Sequence, residues 1–170
     1  MRKSVTRTIE YVRPFIPKKQ MLMMIGGLRG EERGFFREAF RQLEATIRAM
    51  PVTYQQSELG DAAVVHLHYF TGGMDWWITE KDVEGGTRQA FGLVDMGHGP
   101  ELGYVCIDEL RSVRSMNIDL HWKPCTIADI KAKKYKITPE PVKPEKDLNA
   151  ASILRPFDIV AEAPESGVYH

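Results

Sequence analysis

The 170 residues carry 23 basic and 23 acidic side chains, so the formal net charge is zero and no whole-molecule field selects a partner. The apolar share of 43% and the charged share of 27% suit one globular domain, and no apolar run approaches the roughly 20 residues that span a bilayer. Cys106 and Cys125 stand too far apart for a CxxC redox or zinc pair and are too few for a disulfide scaffold, which suits a reduced compartment. The basic stretch Met1 to Lys19 lacks the apolar core of a secretory signal, so a cytoplasmic location without membrane contact is expected.

The zero is a cancellation. Residues 1–50 hold 11 basic and 5 acidic groups, whereas residues 51–100 hold 2 and 7. Either the basic leader docks on the acidic segment, or it faces a partner.

In chain order, residues 1–30 form a basic N-terminal arm. Its β-branched and aromatic stretch (Val5, Thr6, Thr8, Ile9, Tyr11, Val12), interrupted by Pro14 and Pro17, predicts one short strand or an extended segment. Residues 26–30 are a glycine-rich joint. Phe36, Phe40, Leu43 and Ile47 then recur at spacings of 4, 3 and 4, the apolar stripe of an amphipathic helix over 31–50 that ends before Pro51. Four strands follow, at 62–70, 75–80, 88–95 and 101–107, separated by short glycine-rich turns that predict an antiparallel meander. A short helix opened by Asp108 precedes a fifth, alternating strand from Met116 to Trp122, and Thr126 caps a last helix reaching Lys134. The fold class is therefore α+β: an antiparallel meander of about five strands, within 61–123, packed on one long helix. Residues 135–170 are a proline- and charge-rich tail with an apolar island at 153–160, suited to docking on a partner or on its own domain.

Few residues announce chemistry. His66 and His68 are two apart on a predicted strand and so share a face, half of a metal site that His121 or Glu80 completes if the strands lie in register. Glu80 and Lys81 are adjacent, which breaks the acid-x-lysine pattern of a nuclease core. No nucleophile elbow or phosphate loop is present, and Cys106 reads as an inert thiol within a strand. Binding is better served. Arg33, Arg37 and Arg41 line the outer face of the long helix as phosphate contacts, and Trp76 and Trp77 place one indole on each sheet face.

Six blocks, His68 to Thr71, Trp76 to Glu80, Phe91 to Val94, Glu101 to Tyr104, Asp108 to Leu110 and Asp119 to Pro124, resemble in order and spacing a bacterial domain-of-unknown-function family. That family is found mainly on plasmids, integrative elements and phages, often near DNA-processing genes and DNA methyltransferases. The resemblance covers about residues 60–130, and Gly30 to Tyr54 is similar to the leader helix of some plasmid-encoded members. It implies an α+β domain in a mobile-element setting and no established activity or cofactor. Within these blocks, Gly92 and Gly103 suit close approach beneath an aromatic ring such as Tyr104, and Glu80 and Glu101 suit hydrogen bonds to turn amides.

The functional expectation is a non-catalytic accessory protein of a mobile element, needing no cofactor and acting through protein or nucleic-acid contacts. The alternatives are a metal-dependent hydrolase or nuclease using His66 and His68, and an inhibitor of a host restriction or CRISPR complex.

Overall fold

A computed structural model describes residues 4–137. Of the expected tail, residues 138–170 with the island at 153–160 lie outside the described residues, whereas Tyr135, its first residue, packs against Trp77. The elements are helices α1 (Val5–Val12), α2 (Lys18–Gly27), α3 (Arg33–Ala49), α4 (Ile107–Ser112) and α5 (Ile127–Ile130). The strands are β1 (Val64–Val65), β2 (Leu67–Thr71), β3 (Met74–Asp82), β4 (Gly86–Asp95), β5 (Pro100–Val105), β6 (Asn117–Ile118) and β7 (Cys125–Thr126). The main sheet is antiparallel in the order β5-β4-β3-β2-β6, so the architecture is α+β and β2 to β5 form the predicted meander.

The N-terminal segment departs from the expected strand or arm. Its β-branched residues lie in α1, where Thr8 and Val12 recur at helical spacing and are buried. The prolines punctuate helices instead of breaking a strand: Pro14 opens a 3-10 turn over Arg13–Phe15, and Pro17 is the N-cap of α2. Three helices, not one, therefore cover the first sheet face. Val12, Phe15, Ile16 and Met24 join the α3 stripe of Phe36, Phe40, Leu43 and Ile47 against Leu67, Tyr69, Trp76 and Ile78. Two buried hydrogen bonds fix the layers, Tyr69 donating to the Phe15 carbonyl at 2.6 Å and Thr8 to Glu44 at 2.7 Å. Lys81 donates to the Ile47 carbonyl at 2.5 Å, satisfying the C-terminal end of α3 with a cation where the helix dipole favours one.

The hairpin from β2 to β3 turns on Gly72 and Gly73, whose φ of 51° and 84° meet the demand of a two-residue turn for two left-handed residues. The predicted fifth strand is cut to Asn117–Ile118 because the Asp119 carboxylate accepts the His121 amide and its carbonyl accepts the Trp122 amide, turning the chain. It pairs with β2, at the opposite edge from β5. There the Gln20 side chain donates to the Ile118 carbonyl at 2.8 Å and accepts the Ile118 amide at 2.7 Å, imitating a further strand. Cys106 is the half-buried N-cap of α4 and not a strand residue.

A smaller core occupies the second sheet face, where Trp77 and Leu93 meet Ala63, Val65, Ile127 and Ile130. It depends on β1 pairing with β7 and on α5, which opens with a reciprocal capping box between Thr126 and Asp129.

Candidate functional site

The second sheet face carries two hollows on either side of this small core, one bordered by Ile130 and the other by Ile127. The first, about 590 Å³, is built from side chains distant in sequence. On β2, His68 directs Nε2 to the Asp75 carboxylate of β3 at 2.7 Å, while its buried Nδ1 has no hydrogen-bond partner among the described residues and lies 3.5 Å from Asp119. The imidazole stacks on Trp77 with ring centroids 5.5 Å apart and planes 9° from parallel, and Trp122 leans on it at 4.9 Å. Trp122 is itself held by donating its indole N–H to the Val65 carbonyl at 3.2 Å. Asp75 also accepts from Lys134, whose ammonium lies 4.8 Å from the Trp77 ring centre. Lys123 and Lys133 border the same hollow, giving three lysines against Asp75 and Asp119.

The turn at His121, Trp122 and Lys123 lines this hollow and also a second groove of about 290 Å³, whose far wall is Phe35, Glu38 and Gln42 of α3. The His121 ring lies 5.6 Å from that of Phe35. Arg33, Arg37 and Arg41 project from the exposed side of the same helix, Arg41 making a long, solvent-exposed pair with Glu38 at 3.8 Å. An aromatic seam thus runs from Phe35 of α3 across the 121–123 turn to Lys133 and Lys134; its cations are Lys123, Lys133 and Lys134, and the α3 arginines line neither the hollow nor the groove.

The hollow beside Ile127, about 220 Å³, is walled by Phe91, Leu102, Tyr104 and Tyr54. Its charged group is Glu80, only 2% exposed, which accepts the backbone amides of Tyr54, at 2.8 Å, and of Gln56. Tyr54 has a φ of 79°, a left-handed strain that the Glu80 contact offsets. The Tyr104 hydroxyl donates to that of Tyr54 at 2.9 Å, and this bond, with the nearby Glu80 charge adding to it, holds the Tyr104 phenol above its ordinary range.

The candidates from sequence separate into groups. His66 does not line the His68 hollow, because the chain exchanges sheet partners between β1 and β2; burial lowers its pKa from the usual histidine value. His121 borders the hollow, whereas Glu80 lies in the other one, each of its oxygens accepting one backbone amide. No three His, Cys, Asp or Glu side chains among the described residues are placed to hold a metal ion. Trp76 is buried in the first core and Trp77 in the second. Glu80 binds turn amides as its position suggests; Glu101 is exposed on β5. Sequence reasoning did not single out Tyr54, Trp122, Lys123, Lys133 or Lys134. The Trp-Lys-Pro run at 122–124 was the available signal for two of them.

A family model described as "Protein of unknown function (DUF2958)" matches residues 37–123, just over half of the chain. The chain belongs to this family. The DUF2958 match takes in most of α3 and the whole meander and ends at Lys123, so the 121–123 turn is part of it, while Lys133 and Lys134 fall outside. No curated protein and no solved structure matches the chain. Among the described residues, no helix of this DUF2958 protein is long and apolar enough to cross a membrane.

Proposed function

We propose that this DUF2958 protein is a non-catalytic accessory protein that binds single-stranded nucleic acid. The observation that carries the reading is the shared 121–123 turn, which makes two grooves into one band of ring faces and cations. Such bands hold a strand by stacking bases on aromatic faces while lysine and arginine neutralise phosphates, without demanding a sequence. Phe35 is 44% exposed, leaving ring area open at the α3 end of the seam. The mobile-element setting is part of the proposal and is supported by the resemblance of the six sequence blocks. The binding reading is preferred to the metal-dependent alternative because His66 does not line the hollow of His68 and Glu80 lines the other one.

The test is fluorescence anisotropy of a labelled single-stranded oligonucleotide over a salt series. If Arg37, Arg41, Lys123 and Lys133 each meet a phosphate, log K falls against log salt with a slope of about −3. The pairs Arg37→Glu/Arg41→Glu and Lys123→Glu/Lys133→Glu should each weaken binding and flatten that slope. No binding at low salt, together with co-purification of a protein partner, would replace this reading by protein recognition.

A further inference from the structure

The hollow beside Ile127 holds a contradiction that the nucleic-acid reading leaves untouched. Glu80 is a carboxylate with 2% exposure, and no cation pairs with it among the described residues. Lys81, the next residue, directs its ammonium to the α3 carbonyls instead. A buried charge is ordinarily matched by a counter-charge, since desolvation without one is expensive. Two backbone amides occupy two of the roughly four lone-pair directions of a carboxylate, so capacity for another donor remains.

The walls say what kind of donor fits. Phe91 and Tyr104 are packed edge to face at 5.4 Å, Tyr54 and Tyr104 likewise at 6.4 Å, and Leu102 completes an apolar rim. Aromatic faces attract cations, and alkyl groups gain from contact with the same rings. A metal ion needs several strong oxygen, nitrogen or sulfur ligands, and Glu80 is the one Asp, Glu, His or Cys among the lining residues, the others offering neutral hydroxyls, an amide and hydrocarbon. An anion meets Glu80 with the same sign. A volume of about 220 Å³ also lies below the roughly 300–1,000 Å³ of a pocket for a drug-sized molecule.

We propose that this pocket binds a compact organic cation, an alkylammonium group, with its charge on Glu80 and its carbon atoms against Tyr54, Phe91 and Tyr104. The group is either a free amine or the end of a lysine side chain from another polypeptide. The inference stands apart from the nucleic-acid seam, so either can fail alone.

The experiment is an NMR titration of the full chain with n-butylammonium and with choline, following the backbone amides of Tyr54 and Gln56, with 3,3-dimethylbutanol as choline's neutral isostere. Saturable shifts with either cation and none with the alcohol are expected. Tyr104→Leu, at a half-exposed position, should keep the fold and weaken binding about tenfold, and Glu80→Gln should abolish it. A lysine peptide that binds more tightly than butylammonium identifies a polypeptide as the source; no gain over butylammonium identifies a free amine. Equal shifts with alcohol and cation, or no shift with any probe, would overturn the proposal, and the Tyr104→Leu comparison keeps it decidable if Glu80→Gln does not fold.

Discussion

His68 and Asp75 face each other diagonally across the β2–β3 hairpin, Nε2 to Oδ1 at 2.7 Å, in a pairing where His68 stands directly opposite Trp77 and Asp75 opposite Phe70. The carboxylate accepts, so the proton sits on Nε2, leaving Nδ1 buried, 3.5 Å from Asp119 and without a hydrogen-bond partner among the described residues. Long-range nitrogen–proton correlation spectra should therefore show the Nε2-H tautomer for the neutral ring. Asp75→Asn should cost about 1–2 kcal/mol in urea unfolding, since two partners, His68 and Lys134, lose a charged acceptor in a partly buried site.

Gly92 marks the tightest point of the sheet. A Cβ there would lie 2.1 Å from the Trp77 carbonyl oxygen and 2.9 Å from the Ile78 Cα, both backbone atoms that cannot swing aside. Gly92→Ala should destabilise by about 3 kcal/mol or more. Gly103, its partner on β5, has nothing within 4 Å of the same position, and Gly103→Ala should stay within about 0.5 kcal/mol of the parent. Equal midpoints for the two variants in urea would contradict the register of β4 on β3.

Gln20 offers a third measurement. Its amide holds both the N–H and the carbonyl of Ile118 in a buried site, so Gln20→Leu leaves two backbone groups without partners. The expected loss is about 2–3 kcal/mol, with faster amide exchange at Ile118.

Asp95 and Tyr135 carry an acid-side prediction. The Tyr135 hydroxyl donates to Asp95 and, with the amide of Gly97, holds its carboxyl below the usual carboxylate range. A depressed folded pKa means that the stabilisation is complete above about pH 4, the ordinary value, and is lost as pH falls through the lower folded value. Tyr135→Phe should therefore be less stable than the parent at neutral pH, with the two thermal midpoints converging below about pH 4. A gap that persists unchanged into acid would assign the loss to packing against Trp77 rather than to the carboxylate.

The meander was legible because alternation and glycine turns are local signals, and α3 because its 4-3-4 stripe runs along a helix of 17 residues. The N-terminal helices were not, since β-branched residues carry a strand preference that packing on Tyr69 and α3 overrides. The shared face of His66 and His68 assumed one continuous strand, whereas the pairing with β7 ends at Val65 and the His66 amide already donates to the Ile78 carbonyl of β3. Lys133 and Lys134 enter the seam only because α5 folds back onto the sheet, a long-range event without a local pattern. The charge cancellation is not settled between leader and meander: Asp61 and Asp75 pair with Lys131 and Lys134, leaving the α3 arginines directed outward.

The strand that Gln20 imitates has a wider consequence. One margin of the sheet is terminated by a side chain, whereas β5 is paired on a single side among the described strands. Growth of this sheet is therefore polarised. Among the described residues, the β5 margin is the one left for an added strand, from a peptide or from a second copy, and two copies joined there by a two-fold axis would run antiparallel, bringing Leu102 and Tyr104 of each to the join.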